Sequence, residues 1–176
     1  RIYEFLYSQI LNEIKAKGGI AEKLFFLTVR LGQKKLSKIP LLPHEWILDK
    51  VVEKLVRSKV KMILGRRLKY FISGVTLSPD IGSFLLGLGV GILQGYWQTE
   101  ASSLISINRP DKIKINTVGL PVLGVELKID DFGELLVKGD LVMKGYWNDE
   151  ITTNETIRNG WLHTGDLVEI DEDQYI

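Results

Sequence analysis

Apolar residues recur at helical spacing through the first third of the chain: Ile2, Phe5 or Leu6, Ile10 and Ile14, then Ile20, Leu24, Leu27 and Leu31. Steps of three to four residues line one stripe of an α-helix, so two helices are predicted, broken at Gly18-Gly19. Pro40 to Pro43 interrupt the pattern. It resumes over residues 45–64, with Ile47, Val51 and Leu55 on one face. The first 65 residues therefore read as mainly helical.

The pattern changes at Leu68-Lys69-Tyr70-Phe71-Ile72-Ser73-Gly74, a short apolar strand running into a turn. Ser78 can cap the next helix, with Pro79 at its first position and Ile81, Leu85 and Leu88 on one face. Glycines 87, 89 and 91 end it, and Ile92-Leu93-Gln94 starts a strand aimed at Gly95. A strand, helix, strand unit of this kind builds a parallel sheet, whose ligands bind beyond the carboxyl ends of the strands. Gly74 and Gly95 are expected there. Beyond Pro121 the period becomes two: Val125, Leu127 and Ile129 alternate before the Asp130 to Gly133 turn, and Glu134 to Lys138 returns as the second strand of a hairpin. Leu167 to Ile170 and Tyr175-Ile176 read as a further hairpin about Asp171-Glu172-Asp173. The fold class is α/β, ending in a small antiparallel β region, with a division predicted between residues 1–120 and 121–176.

At 176 residues, 45% hydrophobic and 26% charged, the chain can bury one sizeable core or two small ones. It has no cysteine, which removes disulfides, thiol nucleophiles and thiolate metal sites. Its two histidines, His44 and His163, are too few for a His-rich metal centre. His44 reads as a helix-start residue and His163 as a surface or packing residue. The net charge of +1 hides a polarity: residues 1–70 carry 16 Lys/Arg against 6 Asp/Glu, and residues 71–176 carry 7 against 16. A basic half can meet anionic lipid or be a solvated face of a larger, balanced protein. No nucleic-acid module accompanies it, so nucleic acid is not an expected partner. No apolar run is long enough to cross a membrane. The start at Arg1-Ile2-Tyr3-Glu4 and the stop within a strand pattern lead to the expectation of a fragment.

Candidate chemistry concentrates in Gly95-Tyr96-Trp97-Gln98-Thr99-Glu100. Tyr96 offers a flat face for a purine, Thr99 a hydroxyl for a phosphate oxygen, and Glu100 a hard oxygen ligand for Mg²⁺. The same residues equally suit a helix cap, a packed ring and a solvated carboxylate. Asp166, after Thr164-Gly165, can accept two hydrogen bonds from ribose hydroxyls, or simply satisfy its own turn.

Taken together, three segments resemble the adenylate-forming acyl-CoA synthetases, and within them the long-chain fatty acid type. Gly95 to Glu100 is similar to the family's Gly-Tyr-Gly-x-Thr-Glu. Gly133-Glu134-Leu135-Leu136-Val137-Lys138-Gly139, continuing to Gly145-Tyr146-Trp147, is similar to its Gly-Glu-[Leu/Ile]-x-[Val/Ile]-[Arg/Lys]-Gly…Gly-Tyr. Gly160-Trp161-Leu162-His163-Thr164-Gly165-Asp166 resembles its Gly-Trp-x-x-Thr-Gly-Asp, and Arg1 to Glu4 its Pro-Arg-[Val/Ile/Leu]-[Tyr/Phe]-Glu helix. The resemblance implies the helices and parallel-sheet strands of an adenylate-forming large domain. It implies a cytoplasmic enzyme, able to meet membranes peripherally through residues 1–70. That enzyme would use ATP and Mg²⁺ to form an acyl-adenylate from a fatty acid, and coenzyme A to displace AMP. By the same implication Gly74 and Val75 line the adenine, Gly95 and Tyr96 complete its site, and Thr99 contacts the α-phosphate. Glu100 ligates Mg²⁺ and Asp166 holds the ribose.

Three departures from the family pattern bear on the chemistry, the first two at the same pocket. Trp97 replaces its second glycine, which puts an indole where it can obstruct the acyl or nucleotide site. Ser73 to Leu77 is one residue shorter than the usual adenine loop. Neither the Ser/Thr/Gly-rich phosphate loop nor the carboxy-terminal domain with its lysine occurs within the 176 residues. Part of a working synthetase, a degenerate non-catalytic remnant and a relative activating another carboxylic acid are the readings that follow.

Overall fold

A computed structural model of the chain describes residues 2–65, 67–74 and 77–176. They fall into two compact units, Arg1–Ile72 with Leu77–Ile92, and Ser73–Thr76 with Leu93–Ile176.

The first unit is helical. α1 (Ile2–Lys17) and α2 (Gly19–Leu36) are separated at Gly18, whose φ of 56° lies in the left-handed region that a side chain disfavours. α3 (Pro43–Val52) leads through a π-helical turn, Glu53–Arg57, into α4 (Ser58–Ile63). α5 (Pro79–Gly87) starts as predicted, with the Ser78 hydroxyl accepting the Ile81 N–H and Pro79 in the first turn. Its Ile81, Leu85 and Leu88 stripe is buried with Phe25, Val29 and Phe84, and Phe84 meets Tyr7 edge-on at 4.7 Å between ring centroids. α2 and α5 cross at a pair of glycines. A Cβ on Gly32 would lie 2.2 Å from the Gly87 carbonyl oxygen, so this approach admits no side chain.

The face of α3 that packs is the reverse of the one its apolar spacing predicts. Ile47, Val51 and Leu55 are exposed, whereas Glu45, Asp49, Val52 and Arg57 are buried. Opposite charges on neighbouring helices account for the inversion. Lys34 binds Glu45 at 2.5 Å, Lys35 binds Asp49, and Arg57 binds Asp49 at 2.7 Å and Glu53 at 3.2 Å. The Arg57 guanidinium also donates to the carbonyls of Thr28, at 3.1 Å, and Gly87, at 3.2 Å, so it holds α2 and the end of α5.

The described strands form two sheets. The first has the order β1 (Phe71–Ser73), β2 (Ile92–Gln98), β3 (Ser103–Ile107), β4 (Leu120–Pro121). The predicted strand, helix, strand unit is present as β1, α5 and β2, but β2, β3 and β4 pair antiparallel and the periodicity gives no warning of β3 or β4. The second sheet has the order β5 (Glu126–Ile129), β6 (Glu134–Lys138), β8 (Trp161–Leu167), β7 (Ile157–Arg158). β5 and β6 form the predicted hairpin, Leu127 opposite Val137. Between them the sheets bury Ala101, Ile105, Leu135, Val137 and Leu162. α6 (Glu150–Thr156) precedes β7 and is capped by Asp149, which accepts the Thr152 N–H.

The expected closing hairpin does not form. The Asp171 side chain accepts the N–H groups of Asp173 and Tyr175, and with the Asp171 N–H donating to the Tyr175 carbonyl at 2.9 Å it closes a turn in place of a strand ladder. Ile176 instead exchanges backbone hydrogen bonds with Val118 and Gly119.

Candidate nucleotide site

The expectation that Gly95 lies beyond the end of a strand is not met: Gly95 to Gln98 are the second half of β2, and Thr99–Ala101 form a 3₁₀ turn after it. The strand keeps its pairing with β3 through Gln98, with one extra β3 residue opposite the step from Tyr96 to Trp97. A bulge at this point sharpens the local twist and re-aims side chains.

Strand alternation then sorts the hexapeptide into two faces. Tyr96 and Gln98 share one of them. Tyr96 packs against the core between the sheets and donates its hydroxyl to Asp166 Oδ2 at 2.5 Å. Gln98 Nε2 donates to the Thr164 carbonyl at 2.7 Å. Burial, followed by the Asp166 carboxylate, pushes the Tyr96 phenol well above its ordinary range, so it remains a donor. Residues 70 apart in the chain are thereby joined.

Gly95 and Trp97 occupy the other face. A Cβ on Gly95 would lie 2.6 Å from the Trp97 ring, and one on Gly74 would lie 2.7 Å from it. The indole therefore rests on both glycines that the resemblance assigns to the adenine. Val75, assigned with them, lies outside the described residues.

Thr99 is exposed at the start of the 3₁₀ turn, and Glu100 follows it half-buried. Glu100 Oε1 accepts the Tyr146 hydroxyl at 2.9 Å, which raises the Tyr146 phenol above its usual range. Tyr146 is itself placed by α6, its N–H donating to Thr153 Oγ1 at 2.9 Å. Sequence reasoning noted Tyr146 only as part of a matching segment; its role shows once the fold brings it to Glu100. One carboxylate beside an exposed hydroxyl suits Mg²⁺, which is commonly held by one or two protein carboxylates plus phosphate oxygens.

Asp166 is exposed and lies within β8, where a turn after Thr164-Gly165 is expected from the sequence. β8 has two more residues than β6 between the pairs Glu134–Leu167 and Leu136–His163. Within this bulge Thr164 is buried, its hydroxyl donating to the Leu135 carbonyl at 2.7 Å. His163, expected as a surface or packing residue, is half-buried with its Nδ1 2.8 Å from Glu134 Oε2. Asp130, Glu134 and His163 bring one ligand-type atom each within 4.8 Å of one another. Asp130 Oδ1 already accepts two backbone N–H groups, and Glu134 is bonded through both oxygens, so the three form a structural hydrogen-bonded cluster. Among the described residues no helix is long and apolar enough to cross a membrane.

Comparison with known proteins matches this arrangement to one family. The profile described as AMP-binding enzyme covers residues 30–147. The long-chain-fatty-acid–CoA ligase FadD15 of Mycobacterium bovis is 41% identical over 127 residues, which cover 72% of this chain and 21% of that protein. The peroxisomal long chain acyl-CoA synthetase 6 of Arabidopsis thaliana is 33% identical over an alignment covering 95% of this chain and 25% of its own. Among solved structures, o-succinylbenzoate coenzyme A synthetase of Bacillus subtilis, in complex with ATP and magnesium ion, superposes with a TM-score of 0.54 at 26% identity. That match covers 66% of this chain and 29% of the other. The chain thus spans about a quarter of the length of the curated relatives it matches. Since the family profile takes in two thirds of the residues and a synthetase aligns with nearly all of them, the chain belongs to the AMP-binding enzymes, with long-chain fatty acid–CoA ligases among its relatives.

Proposed function

We propose that these residues form part of the nucleotide site of a long-chain fatty acid–CoA ligase, within the partial α/β and β-rich subdomains of its large domain. The observation that carries this reading is the Tyr96–Asp166 hydrogen bond, which unites two of the three matching segments. The Tyr146–Glu100 bond draws in the third. In this reading Asp166 accepts the ribose hydroxyls and Tyr96 gives the base an aromatic face. Thr99 donates to the α-phosphate, and Glu100 would hold Mg²⁺. The metal, when bound, offsets charge on the phosphates during acyl-adenylate formation. Coenzyme A then takes the acyl group as a second substrate.

The reading is tested in the full-length enzyme carrying these residues, by fatty-acid-dependent exchange of pyrophosphate into ATP. Asp166→Ala removes a charged hydrogen-bond acceptor worth about 1.5–3 kcal/mol, so exchange at limiting ATP should fall about tenfold or more. Unchanged exchange would count against a ribose role. Failure of the unmodified full-length protein to exchange at all would favour the non-catalytic remnant.

A second reading concerns the acid. The Trp97 indole fills the face of Gly74 and Gly95 opposite Tyr96, which supports activation of a carboxylic acid other than a long-chain one. The o-succinylbenzoate synthetase among the structural neighbours is named for such an acid.

A further inference from the structure

The two extra residues of β8 pose a question of restraint. Gly165 has a φ of 74°, and the space a Cβ would take there has no neighbour within 4 Å. Residues 165–167 are exposed. Side-chain packing around Gly165 therefore does not dictate the path of the segment that carries Asp166; hydrogen bonds do. The Thr164 hydroxyl ties to Leu135 and receives the Asp166 N–H at 3.2 Å, and Gln98 holds the Thr164 carbonyl. Glu134 brackets the same residue from both sides. Its Oε1 accepts the Gly165 N–H at 2.8 Å and its Oε2 meets His163 Nδ1 at 2.8 Å. Glu134 is anchored in turn, since its own N–H donates to Asp130 Oδ1 at 2.9 Å in the turn between β5 and β6.

We infer that Glu134 is a positioning residue for nucleotide binding: its carboxylate, bonded to Gly165 N–H and His163 Nδ1, fixes the β8 bulge so that Asp166 is presented beside the Tyr96 hydroxyl. The inference rests on the reading of Asp166 as the ribose acceptor. It extends that reading to a residue that touches no substrate. A carboxylate suits the task because it accepts in two directions at once, towards a backbone N–H and towards an imidazole. Small displacements of a binding group are enough to weaken a site that depends on hydrogen-bond geometry.

The experiment compares steady-state kinetics of the full-length enzyme for ATP and for fatty acid, with thermal unfolding measured alongside. Glu134→Ala should raise the KM for ATP about tenfold while leaving the KM for the acid unchanged. Glu134→Gln keeps an amide oxygen for Gly165 and should restore the KM for ATP to within about twofold of the parent. Asp166→Ala separates the two layers of the argument. If it raises the KM for ATP but Glu134→Ala does not, positioning by Glu134 is overturned and the ribose reading survives. If Asp166→Ala itself leaves the KM for ATP unchanged, the ribose reading falls first. An equal rise of both KM values in Glu134→Ala marks a general structural loss and also overturns the inference. Should Glu134→Ala fail to fold, His163→Ala, which removes one of the two bonds, supplies the comparison: a selective rise in KM for ATP supports positioning, and none refutes it.

Discussion

Trp97 shows how a single replacement acts on one side of a strand and spares the other. Its indole lies on Gly74 and Gly95, whereas Tyr96, one residue away, points to the opposite face and keeps its bond to Asp166. In the proposed site the indole therefore competes for space at the two glycines while the ribose acceptor remains exposed. Trp97→Gly in the full-length enzyme should raise ATP-dependent turnover, about tenfold if obstruction costs ~1.4 kcal/mol, and lower the KM for ATP if the indole crowds the adenine. Acyl-CoA formation across a series of chain lengths checks this, and a flat response would remove obstruction as an explanation. The identities of Tyr96, Thr99, Glu100 and Asp166 were legible as motif residues. What the sequence could not disclose was which atoms meet: the hydroxyl of Tyr96 on Asp166, of Tyr146 on Glu100, and the carboxylate of Glu134 on the β8 bulge. Each depends on pairing between strands or loops 30 to 70 residues apart, which local spacing does not encode.

At the scale of elements, α3 carries the clearest lesson. Its apolar spacing was legible, and so was its helical state, but burial followed the charges. Asp49 is held by Lys35 and Arg57, and Arg57 is buried with its donors spent on Asp49, Glu53, Thr28 and Gly87. Burial pushes the Asp49 carboxyl up, yet those two cations outweigh it and hold its pKa below the usual range. Its stabilising contribution is thus fully present above the unfolded carboxylate's pKa of about 3.9 and is lost as pH falls through the lower folded value. Asp49→Asn leaves Arg57 short of its closest counter-charge, and breaking a buried pair from one side costs about 3–5 kcal/mol. Urea unfolding at neutral pH should show that loss, and the difference from the parent should shrink in acid below about pH 4. A constant difference across pH would mean that the Asp49 charge is not what holds Arg57. The β5–β6 hairpin and the Ser78-Pro79 helix start were predictable because their signals are local. β3 and β4 were not, because short strands placed by pairing partners leave no periodic trace.

For the molecule as a whole, the 176 residues carry part of the chemistry that the proposed function needs. Within the 176 residues lie the aromatic, hydroxyl and carboxylate groups of the proposed site, but no glycine-rich cradle for the outer phosphates. The 176-residue chain alone should therefore give no measurable ATP–pyrophosphate exchange with any fatty acid; detectable exchange would show that these residues suffice. The composition already displayed a basic first part and an acidic second part. It did not display that the units interleave, with Ser73–Thr76 belonging to the second unit while the chain on either side belongs to the first. That interleaving has a consequence for biosynthesis. Apart from Ser73–Thr76, the second unit is synthesised from Leu93 onward, after the whole of the first, so the helical unit can fold while the rest of its successor is still being translated. The Ser73–Thr76 segment must then wait, already synthesised, for a unit that does not yet exist.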